Sequence, residues 1–200
     1  MNIRKYLLLL VALIISTSVL ADLAPDELVR KTADDVINEL KKDKDIKVGD
    51  RAKIYKLAEE KILPNFDFKR ICRLVLGKNW RSMTVDQRNV FQIEFRGLLL
   101  RTYAIALSKF RDQTIEFKPL RMKSSDKIVL VKTEITQSGG QPIDVNYALS
   151  NSTGKWLVFD IVIEGVSLVT NYRSQFASQV KKNGIEGLLK KLSEKNNESN

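Results

Sequence analysis

The stretch Ile143–Ser150, which reads IDVNYALS, alternates apolar side chains with polar or small ones along its whole length. A period of two places successive side chains on opposite faces of a β-strand, so one face of this segment is apolar and the other is polar. A second alternating run extends from residue 127 to residue 136, and the glycine pair at 139–140, which favours a tight turn, lies between the two runs. The sequence therefore predicts an antiparallel hairpin with one buried face at the centre of the fold.

Two further segments extend this predicted sheet. Residues 114–122 form a strand candidate that Pro119 weakens, because proline has no backbone N–H to donate to a neighbouring strand. Residues 156–164 are almost entirely apolar, which is typical of a buried strand. Four short antiparallel strands joined by hairpins, and covered on one face by helices, predict the α+β class.

The segments on either side of the sheet have helical spacing. Pro25 begins the first helix, and Asp50 and Asp67 are positioned as N-caps of the next two. The sequence TVDQ at residues 84–87 has the capping-box pattern and begins the longest helix. After the sheet, helical spacing resumes at residue 171 and ends at Gly184, and a short basic helix follows.

The N-terminal residues have the pattern of an export signal. Two basic residues precede an unbroken apolar stretch over residues 6–15, and a small-residue cleavage region ends at Ala21. This apolar stretch is roughly half the length that a transmembrane helix needs. We expect residues 1–21 to be a cleaved signal peptide, residues 22–195 to form one domain and residues 196–200 to be a disordered tail. The mature protein is expected to be soluble and periplasmic, since a lone cysteine avoids mispairing in an oxidising compartment.

The composition excludes several classes of chemistry. The 200 residues include 34 Lys and Arg, 24 Asp and Glu, one Cys and no His, for a net charge of +10. Without histidine there is no Ser-His-Asp or Cys-His catalytic unit and no His-ligated metal site. One cysteine forms neither an internal disulfide nor a thiolate zinc site. The sequence also has no glycine-rich phosphate loop and no string of metal ligands, so we expect no cofactor and no metal.

The positive charge first suggests nucleic acid as a partner. Lys and Arg are interspersed with acids through the helices, however, and no nucleic-acid-binding module is recognisable. Export would also remove the chain from cytoplasmic nucleic acid. Solvated helix faces account for most of this charge, and weak attraction to anionic lipid headgroups or to acidic patches on partner proteins is the alternative.

An enzyme built from this sequence would depend on carboxylates, tyrosines or lysines. Asp160 is the best candidate, because it interrupts the apolar segment VFDIV and a buried carboxylate is suited to general-base catalysis. The structural alternative is that Asp160 faces an arginine or solvent at a sheet edge. No second acid, nucleophile or oxyanion device stands at a suitable spacing, so we expect no enzymatic activity.

Binding is the other class of function. The apolar face of the predicted sheet and the apolar stripe of the longest helix face each other in this architecture. Such faces either close into a solid core or leave an apolar pocket between a curved sheet and the helices. Periodicity alone does not separate these two interpretations.

Several motifs resemble a known family. The N-terminal half contains PNFDF at residues 64–68, LGxxWR at 76–81 and LLxxTY at 98–103. The C-terminal half contains IxVxY at 143–147, KWxVxD at 155–160, EGVSLVxNYRSQF at 164–176 and GIxGL at 184–188, and the third of these is the most specific. In this order the motifs resemble the MlaC family, also called the toluene tolerance family, of periplasmic phospholipid-binding proteins. The resemblance extends from about residue 25 to residue 192.

The resemblance implies an NTF2-like twisted antiparallel sheet with an apolar cavity between the sheet and the helices. That cavity would hold the acyl chains of a phospholipid while the headgroup stays near solvent. The resemblance also implies a carrier between an outer-membrane lipoprotein–porin complex and the substrate-binding subunit of an inner-membrane ABC transporter, which maintains outer-membrane lipid asymmetry. A monomer suits such a shuttle. The two other hypotheses are a lipid-modifying or isomerase-like enzyme that uses Asp160, and a periplasmic adaptor or chaperone.

We expect apolar side chains from the sheet, the longest helix and the segment after the sheet to surround the acyl chains. They are Phe91, Phe95, Leu99, Tyr103, Val129, Val131, Val145, Tyr147, Leu149, Val158, Val166 and Phe176. We expect Arg81 and Arg173 to supply polarity for the headgroup or the mouth of the cavity, with a salt bridge as the alternative for each. No side chain performs bond chemistry in this hypothesis.

Overall fold

An antiparallel sheet forms the middle of the fold in the computed structural model, which describes residues 23–43, 50–108, 110, 112–137 and 139–197. Within these residues the sheet has five strands, and each strand pairs with the next one along the chain. The strands are β1 (Thr114–Phe117), β2 (Ile128–Thr136), β3 (Ile143–Ser150), β4 (Leu157–Ile163) and β5 (Val166–Ser167). The predicted signal peptide, residues 1–21, lies outside the described residues.

The predicted hairpin is present as β2 and β3, and β3 has the bounds that the alternation predicts. Val131 pairs with Tyr147, and Thr133 pairs with Val145. Alternate residues of β2 are buried and exposed, so one face of the hairpin is turned towards the helices and the other towards solvent. The α+β class is therefore confirmed.

A β-bulge bends the fourth strand. Leu149 of β3 pairs with Val158, but the preceding Ala148 pairs with Asp160, so Phe159 is an extra residue in β4. Bulges of this kind increase the local twist of a sheet. Because of the extra residue, Val158 and Ile161 lie on the same face of the sheet, although they are three residues apart.

Six α-helices cover one face of the sheet within the described part of the chain. They are α1 (Pro25–Lys42), α2 (Arg51–Leu57), α3 (Phe68–Leu76), α4 (Asn79–Ser82), α5 (Val85–Ser108) and α6 (Leu168–Asn197). A π-helical turn (Ala58–Ile62) and a 3₁₀ turn (Leu63–Asn65) connect α2 to α3.

The predicted helix starts are confirmed by their capping hydrogen bonds. The Asp50 carboxylate accepts from the backbone N–H of Lys53 at 3.1 Å, and the Asp67 carboxylate accepts from that of Arg70 at 3.0 Å. At the start of α5 the Thr84 hydroxyl accepts from the backbone N–H of Gln87, whose side chain accepts from that of Thr84. Each bond satisfies a backbone donor that the first turn of a helix leaves unpaired.

Several boundaries differ from the sequence prediction. Strand β1 ends at Phe117, because the approach to Pro119 interrupts the ladder. The two-residue strand β5 was not predicted, since the pattern suggested four strands and two residues have no detectable period. The predicted stop at Gly184 is confirmed, because its φ of 71° is non-helical and produces a kink; the helix that follows it reaches Asn197. Asn196, which was predicted to begin a disordered tail, is instead helical and donates to the backbone carbonyl of Glu94 at 3.1 Å.

The buried side chains of the described residues form three clusters rather than one continuous core. The largest, which we call the helical core, joins α3, α5 and α6 through the stacked rings of Phe91, Phe95 and Phe176. A second cluster joins the start of α1 to the sheet around Leu149 and Trp156. A third joins α1 to α2. Because α1 belongs to two of these clusters and not to the helical core, a space remains between α1, α5 and the sheet.

Candidate binding cavity

An apolar cavity with a volume of about 450 Å³ occupies the space between the helices and the inner face of the sheet. This volume is within the usual range for small-molecule sites in proteins. Periodicity left open whether the apolar faces close into a solid core or leave a pocket. The tertiary structure contains the pocket.

Helix α1 supplies one wall of the cavity. Its lining residues recur at helical spacing: Leu28, Val29, Thr32, Ala33, Val36, Ile37 and Leu40. The solvent face of the same helix carries charged residues, including the ion pair of Lys31 with Asp35 at 2.8 Å. Helix α1 is thus amphipathic, and a large part of its apolar face is directed towards the cavity rather than into a solid core.

The π-helical and 3₁₀ turns close the cavity beside α1. Ala58, Ile62 and Leu63 contribute apolar atoms to the lining. The Asn65 amide donates to the Thr32 hydroxyl at 2.8 Å and to the backbone carbonyl of Lys61 at 3.0 Å, which fixes these turns against α1. A π-helical turn frequently marks a functional site, because it re-aims side chains within a helix.

Helix α5 and the sheet form the opposite walls. From α5 the lining includes Phe95, Leu99, Leu100, Tyr103, Ala106 and Leu107. From the sheet it includes Ile115, Ile135, Val145, Tyr147, Val158, Ile161 and Ile163. These residues are aliphatic or aromatic, so the cavity is suited to a ligand with a large apolar surface.

Two tyrosines of the lining, Tyr103 and Tyr147, carry hydroxyl groups that stay neutral. Tyr103 of α5 shares a hydrogen bond with Tyr172 of α6, and burial, with this contact, raises the pKa of Tyr103 to about 12. Burial also raises the pKa of Tyr147, although a hydrogen bond with Thr133 acts in the opposite direction. At neutral pH these groups therefore add hydrogen-bonding capacity to the wall without adding charge.

Asp160 lies at the edge of the lining, where its carboxylate is occupied by structural hydrogen bonds. It accepts from the Ser167 hydroxyl at 2.5 Å and from the backbone N–H of Val169 at 3.0 Å. The Ser167 hydroxyl in turn accepts from the backbone N–H of Thr170. These bonds cap the first turn of α6 and tie it to β4. The carboxylate therefore faces a helix N-terminus, and not the arginine or the solvent that the sequence suggested.

Six of the twelve side chains predicted to surround a ligand line the cavity. They are Phe95, Leu99, Tyr103, Val145, Tyr147 and Val158. They come from α5, β3 and β4, which are distant in sequence and which the fold brings to one space. Contact of these six with a ligand remains a prediction.

The other six lie elsewhere, and their predicted place is corrected. Phe91 and Phe176 are in the helical core, because α6 packs directly on the first half of α5. Three more are in the cluster that the start of α1 covers: Val129, Val131 and Leu149. Val166 is 57% exposed in β5 at the end of the sheet. Periodicity identified the correct apolar faces, but only about half of each face meets the cavity.

The two arginines predicted for the mouth are also corrected. Arg81 of α4 and Arg173 of α6 are exposed, and neither belongs to the cavity lining. The predicted alternative is absent as well, because neither forms an ion pair with a carboxylate of the described residues. The charged residue that α5 does place in the lining is Arg96, which is exposed and lies 3.9 Å from Glu59.

The largest omission of the sequence prediction is the α1 wall. Its i, i+3, i+4 stripe was visible, but the same stripe also occurs in helices that pack against a solid core. The absence of bulky aromatic residues from this stripe was the available signal, since small and aliphatic side chains leave more space.

In the described ranges no helix combines the length and the apolar character that crossing a bilayer requires.

Comparison with known proteins agrees with this architecture. The solved structure of a phospholipid-binding protein from Ralstonia solanacearum, in complex with a phospholipid, superimposes with a TM-score of 0.84 and 35% identity, covering 88% of this chain and 98% of that one. The intermembrane phospholipid transport system binding protein MlaC of Haemophilus influenzae is 24% identical over 186 residues, 92% of this chain and 87% of that protein. The toluene tolerance protein ttg2D of Pseudomonas putida is 26% identical over 183 residues, 91% of this chain and 84% of that protein.

The family model described as MlaC protein matches residues 30–194. The match includes most of α1, the turns beside it, the whole sheet and nearly all of α6, which are the elements that enclose the cavity. With its fold and its sequence in agreement along this length, the chain belongs to the MlaC family.

Proposed function

We propose that this protein binds a phospholipid by its acyl chains in the cavity and carries it through the periplasm. Its route would lead between an outer-membrane lipoprotein–porin complex and the substrate-binding subunit of an inner-membrane ABC transporter. The observation that carries the proposal is the 450 Å³ apolar cavity enclosed by α1, α5 and the inner face of the sheet. The proposal accounts for the export signal predicted from the sequence and for the apolar cavity.

The energetics of transfer suit a carrier. A two-chain lipid has on the order of 30 methylenes, and moving each from water to an apolar environment is worth about 0.8 kcal/mol, or roughly 24 kcal/mol in total. A bilayer offers nearly the same gain. The net preference between cavity and membrane is then close to zero, so the protein can both load and unload.

The polar groups of the lining support binding rather than catalysis. Asp160 already accepts two hydrogen bonds that hold α6 against β4. The hydroxyls of Tyr103 and Tyr147 are neutral, and Arg96 is the other charged residue of the described lining. A general base must lie within hydrogen-bond reach of a reacting atom, and the Asp160 carboxylate is instead directed at the N-terminus of α6.

The relatives support the choice of cargo. The Ralstonia solanacearum structure contains a phospholipid, and its fold matches nearly the whole chain. The Haemophilus influenzae relative is described as a binding protein of intermembrane phospholipid transport. Both agree with a lipid as the ligand of this cavity.

Mass spectrometry of lipids extracted from the mature protein tests the cargo. The protein is purified without detergent, and its folding is checked by circular dichroism. We expect about one phospholipid per chain. A folded protein without phospholipid contradicts the proposal and favours the adaptor or chaperone hypothesis, in which protein partners co-purify instead.

Transfer between vesicles tests the carrier role separately. Donor vesicles contain a self-quenching fluorescent phospholipid, and acceptor vesicles contain none. The protein is expected to accelerate the appearance of fluorescence in proportion to its concentration. Bound lipid without any accelerated transfer would restrict the function to storage or sensing, and cross-linking in periplasm would then identify the partners.

A further inference from the structure

A surface formed by α3, α4 and the first half of α6 is strongly cationic. Residues 66–84 contain five Lys and Arg and one acid, Asp67. Residues 168–185 contain three Lys and Arg and no acid. The Asp67 carboxylate is occupied as the N-cap of α3. Elsewhere in the chain, acidic and basic residues are mixed, so this concentration of one sign is local.

One of these cations lies over Gly77, and three others are within four residues of it in the sequence. A Cβ atom built on Gly77 would be 3.2 Å from the guanidinium Nε of Arg173, so that side chain lies over the Gly77 backbone. The Gly77 N–H donates to the Arg73 carbonyl at 2.9 Å, and the Arg81 N–H donates to the Lys78 carbonyl at 3.2 Å. We call Arg73, Lys78, Arg81 and Arg173 the Gly77 basic surface.

The charges of the Gly77 basic surface are not neutralised by the described residues around them. All four side chains are exposed, and none forms an ion pair with a described carboxylate. The acids of the nearby helices are in a separate groove between α5 and the second half of α6, which Asp86, Glu94 and Glu186 line. The basic surface therefore keeps its positive potential.

The same surface lacks the features of a protein-binding hot spot. Among the described residues, no large apolar side chain within 66–84 or 168–185 is exposed. The exposed ones nearest in sequence are Val85 and Val166. Protein interfaces draw most of their affinity from buried aromatic and apolar anchors. Anionic lipid headgroups require only several cations on one face, each of which strengthens binding roughly five-fold.

We propose that the Gly77 basic surface docks this protein on the anionic headgroups of a lipid membrane. The docking surface is distinct from the cavity, and it does not rest on the proposed carrier function. Helices α3 and α6 separate the two: Ile71 and Tyr172 line the cavity from their inner faces, while Arg73 and Arg173 point outward. Docking therefore places one wall of the cavity beside the membrane.

Co-sedimentation with vesicles tests the proposal. Vesicles of one part phosphatidylglycerol to two parts phosphatidylcholine are compared with vesicles of phosphatidylcholine alone. We expect binding to the anionic vesicles at about 0.01 M salt and its loss at about 1 M, where charges are screened within roughly 3 Å. Equal binding to both vesicles overturns the proposal. Failure of the wild type to bind anionic vesicles also overturns it, and leaves an acidic protein as the partner.

A pair of triple variants separates the surface from net charge. Arg73→Gln, Lys78→Gln and Arg173→Gln together are expected to weaken binding roughly 100-fold. The control carries Lys31→Gln, Lys56→Gln and Lys190→Gln, which lose the same charge from three scattered ion pairs. The control is expected to keep most of the affinity, and an equal loss in both variants contradicts a localised docking surface.

The lipid content of the first triple variant provides an independent check. Because its substitutions are outside the cavity, we expect the phospholipid per chain to equal that of the wild type. Loss of vesicle binding with normal lipid content supports docking by the Gly77 basic surface. Normal vesicle binding in a folded triple variant overturns the assignment, whatever the lipid content of the wild type.

Discussion

The Ser167 hydroxyl donates to the Asp160 carboxylate across 2.5 Å, and this bond joins the last long strand of the sheet to the helix that follows it. The second oxygen of Asp160 accepts from the Val169 N–H, while the Ser167 oxygen caps Thr170. One acid in an apolar strand thus fixes where α6 leaves the sheet. Helix α6 carries Tyr172, so the same bonds position part of the cavity wall.

Replacing Asp160 is expected to affect stability and not lipid capture. Asp160→Ala removes the acceptor of two hydrogen bonds, which should lower the free energy of unfolding by about 1–3 kcal/mol. Asp160→Asn keeps one acceptor oxygen, so it should lower the free energy of unfolding by less than Asp160→Ala. Urea unfolding measures both variants. Lipid content that falls in a folded Asp160→Asn protein would contradict a purely structural role.

A charge placed in the α5 wall is expected to abolish lipid binding. Leu99→Asp introduces an unpaired carboxylate into an apolar surface, and a cost of only about 1.4 kcal/mol already reduces the affinity for lipid roughly ten-fold. The matched control is Leu130→Asp, on the solvent face of β2, where Leu130 is 40% exposed. Lipid extraction and mass spectrometry compare the two proteins.

Filling the cavity provides a second version of this test without a new charge. Ala33→Trp on α1 places a large ring in the lining, and it should lower the lipid content while the helix persists. If Leu99→Asp fails to fold, this variant still tests the site. Unchanged lipid in a folded Ala33→Trp protein would remove the α1 wall from the proposed site.

Alanine at Gly77 is expected to destabilise the junction between α3 and α4. The backbone there has a φ of 53° and a ψ of −124°, which side chains with a Cβ rarely adopt, and the new methyl group would press on Arg173. We expect a loss of about 1–3 kcal/mol in urea unfolding. Gly154→Ala serves as the control, because its φ is also positive but no atom lies within 4 Å of the added Cβ. A larger cost at Gly154 would exclude the Arg173 contact as a contributor.

The stability of the protein is expected to fall at alkaline pH. The pKa of Tyr103 is about 12 in the folded protein and about 10 in an unfolded chain. Between these values the folded state holds a proton that the unfolded state has released, so the free energy of unfolding decreases as the pH rises. Tyr103→Phe should make this decrease shallower. A folded Tyr103→Phe protein with the slope of the wild type would contradict this origin of the decrease.

Cys72 is expected to be inert in the folded protein. Its side chain is fully buried in the helical core, and burial raises the pKa of the thiol to about 12. Since the thiolate is the reactive form, about a thousand-fold fewer thiolates are present than at its ordinary pKa. A thiol reagent such as Ellman's reagent should therefore react only after the protein is unfolded in urea. Rapid labelling without denaturant would contradict this packing.

The elements of the fold were largely predictable because their signals are local. The alternation of IDVNYALS results from the geometry of an extended chain, and β3 has the predicted bounds. The caps at Asp50, Asp67 and Thr84 depend on residues no more than three positions apart. The two-residue strand β5 escaped prediction, since it is defined by its partner strand and not by its own sequence.

The cavity depended on contacts between distant elements, and the residues of α5 illustrate this. Phe91 and Leu99 belong to one apolar stripe, yet Phe91 is fully buried in the helical core, whereas Leu99 lies at the edge of that core and also lines the cavity. The difference arises because α6 packs on the first half of α5, while α1 stays apart from the second half. On the hairpin, Val145 lines the cavity and Val131 does not, for a similar reason. The start of α1 covers only the end of the hairpin where Val131 is buried.

The sequence by itself determined the class of the fold, the order of its elements, the faces that avoid water and, through its motifs, the family. These depend on the local geometry of helices and strands and on the burial of apolar side chains. The tertiary structure alone decided whether the apolar faces touch or stay apart. The distance between the faces depends on the bulge in β4 and on where α1 and α6 pack. It also decided that Arg81 and Arg173 lie outside the cavity, around Gly77, and that Asp160 caps a helix.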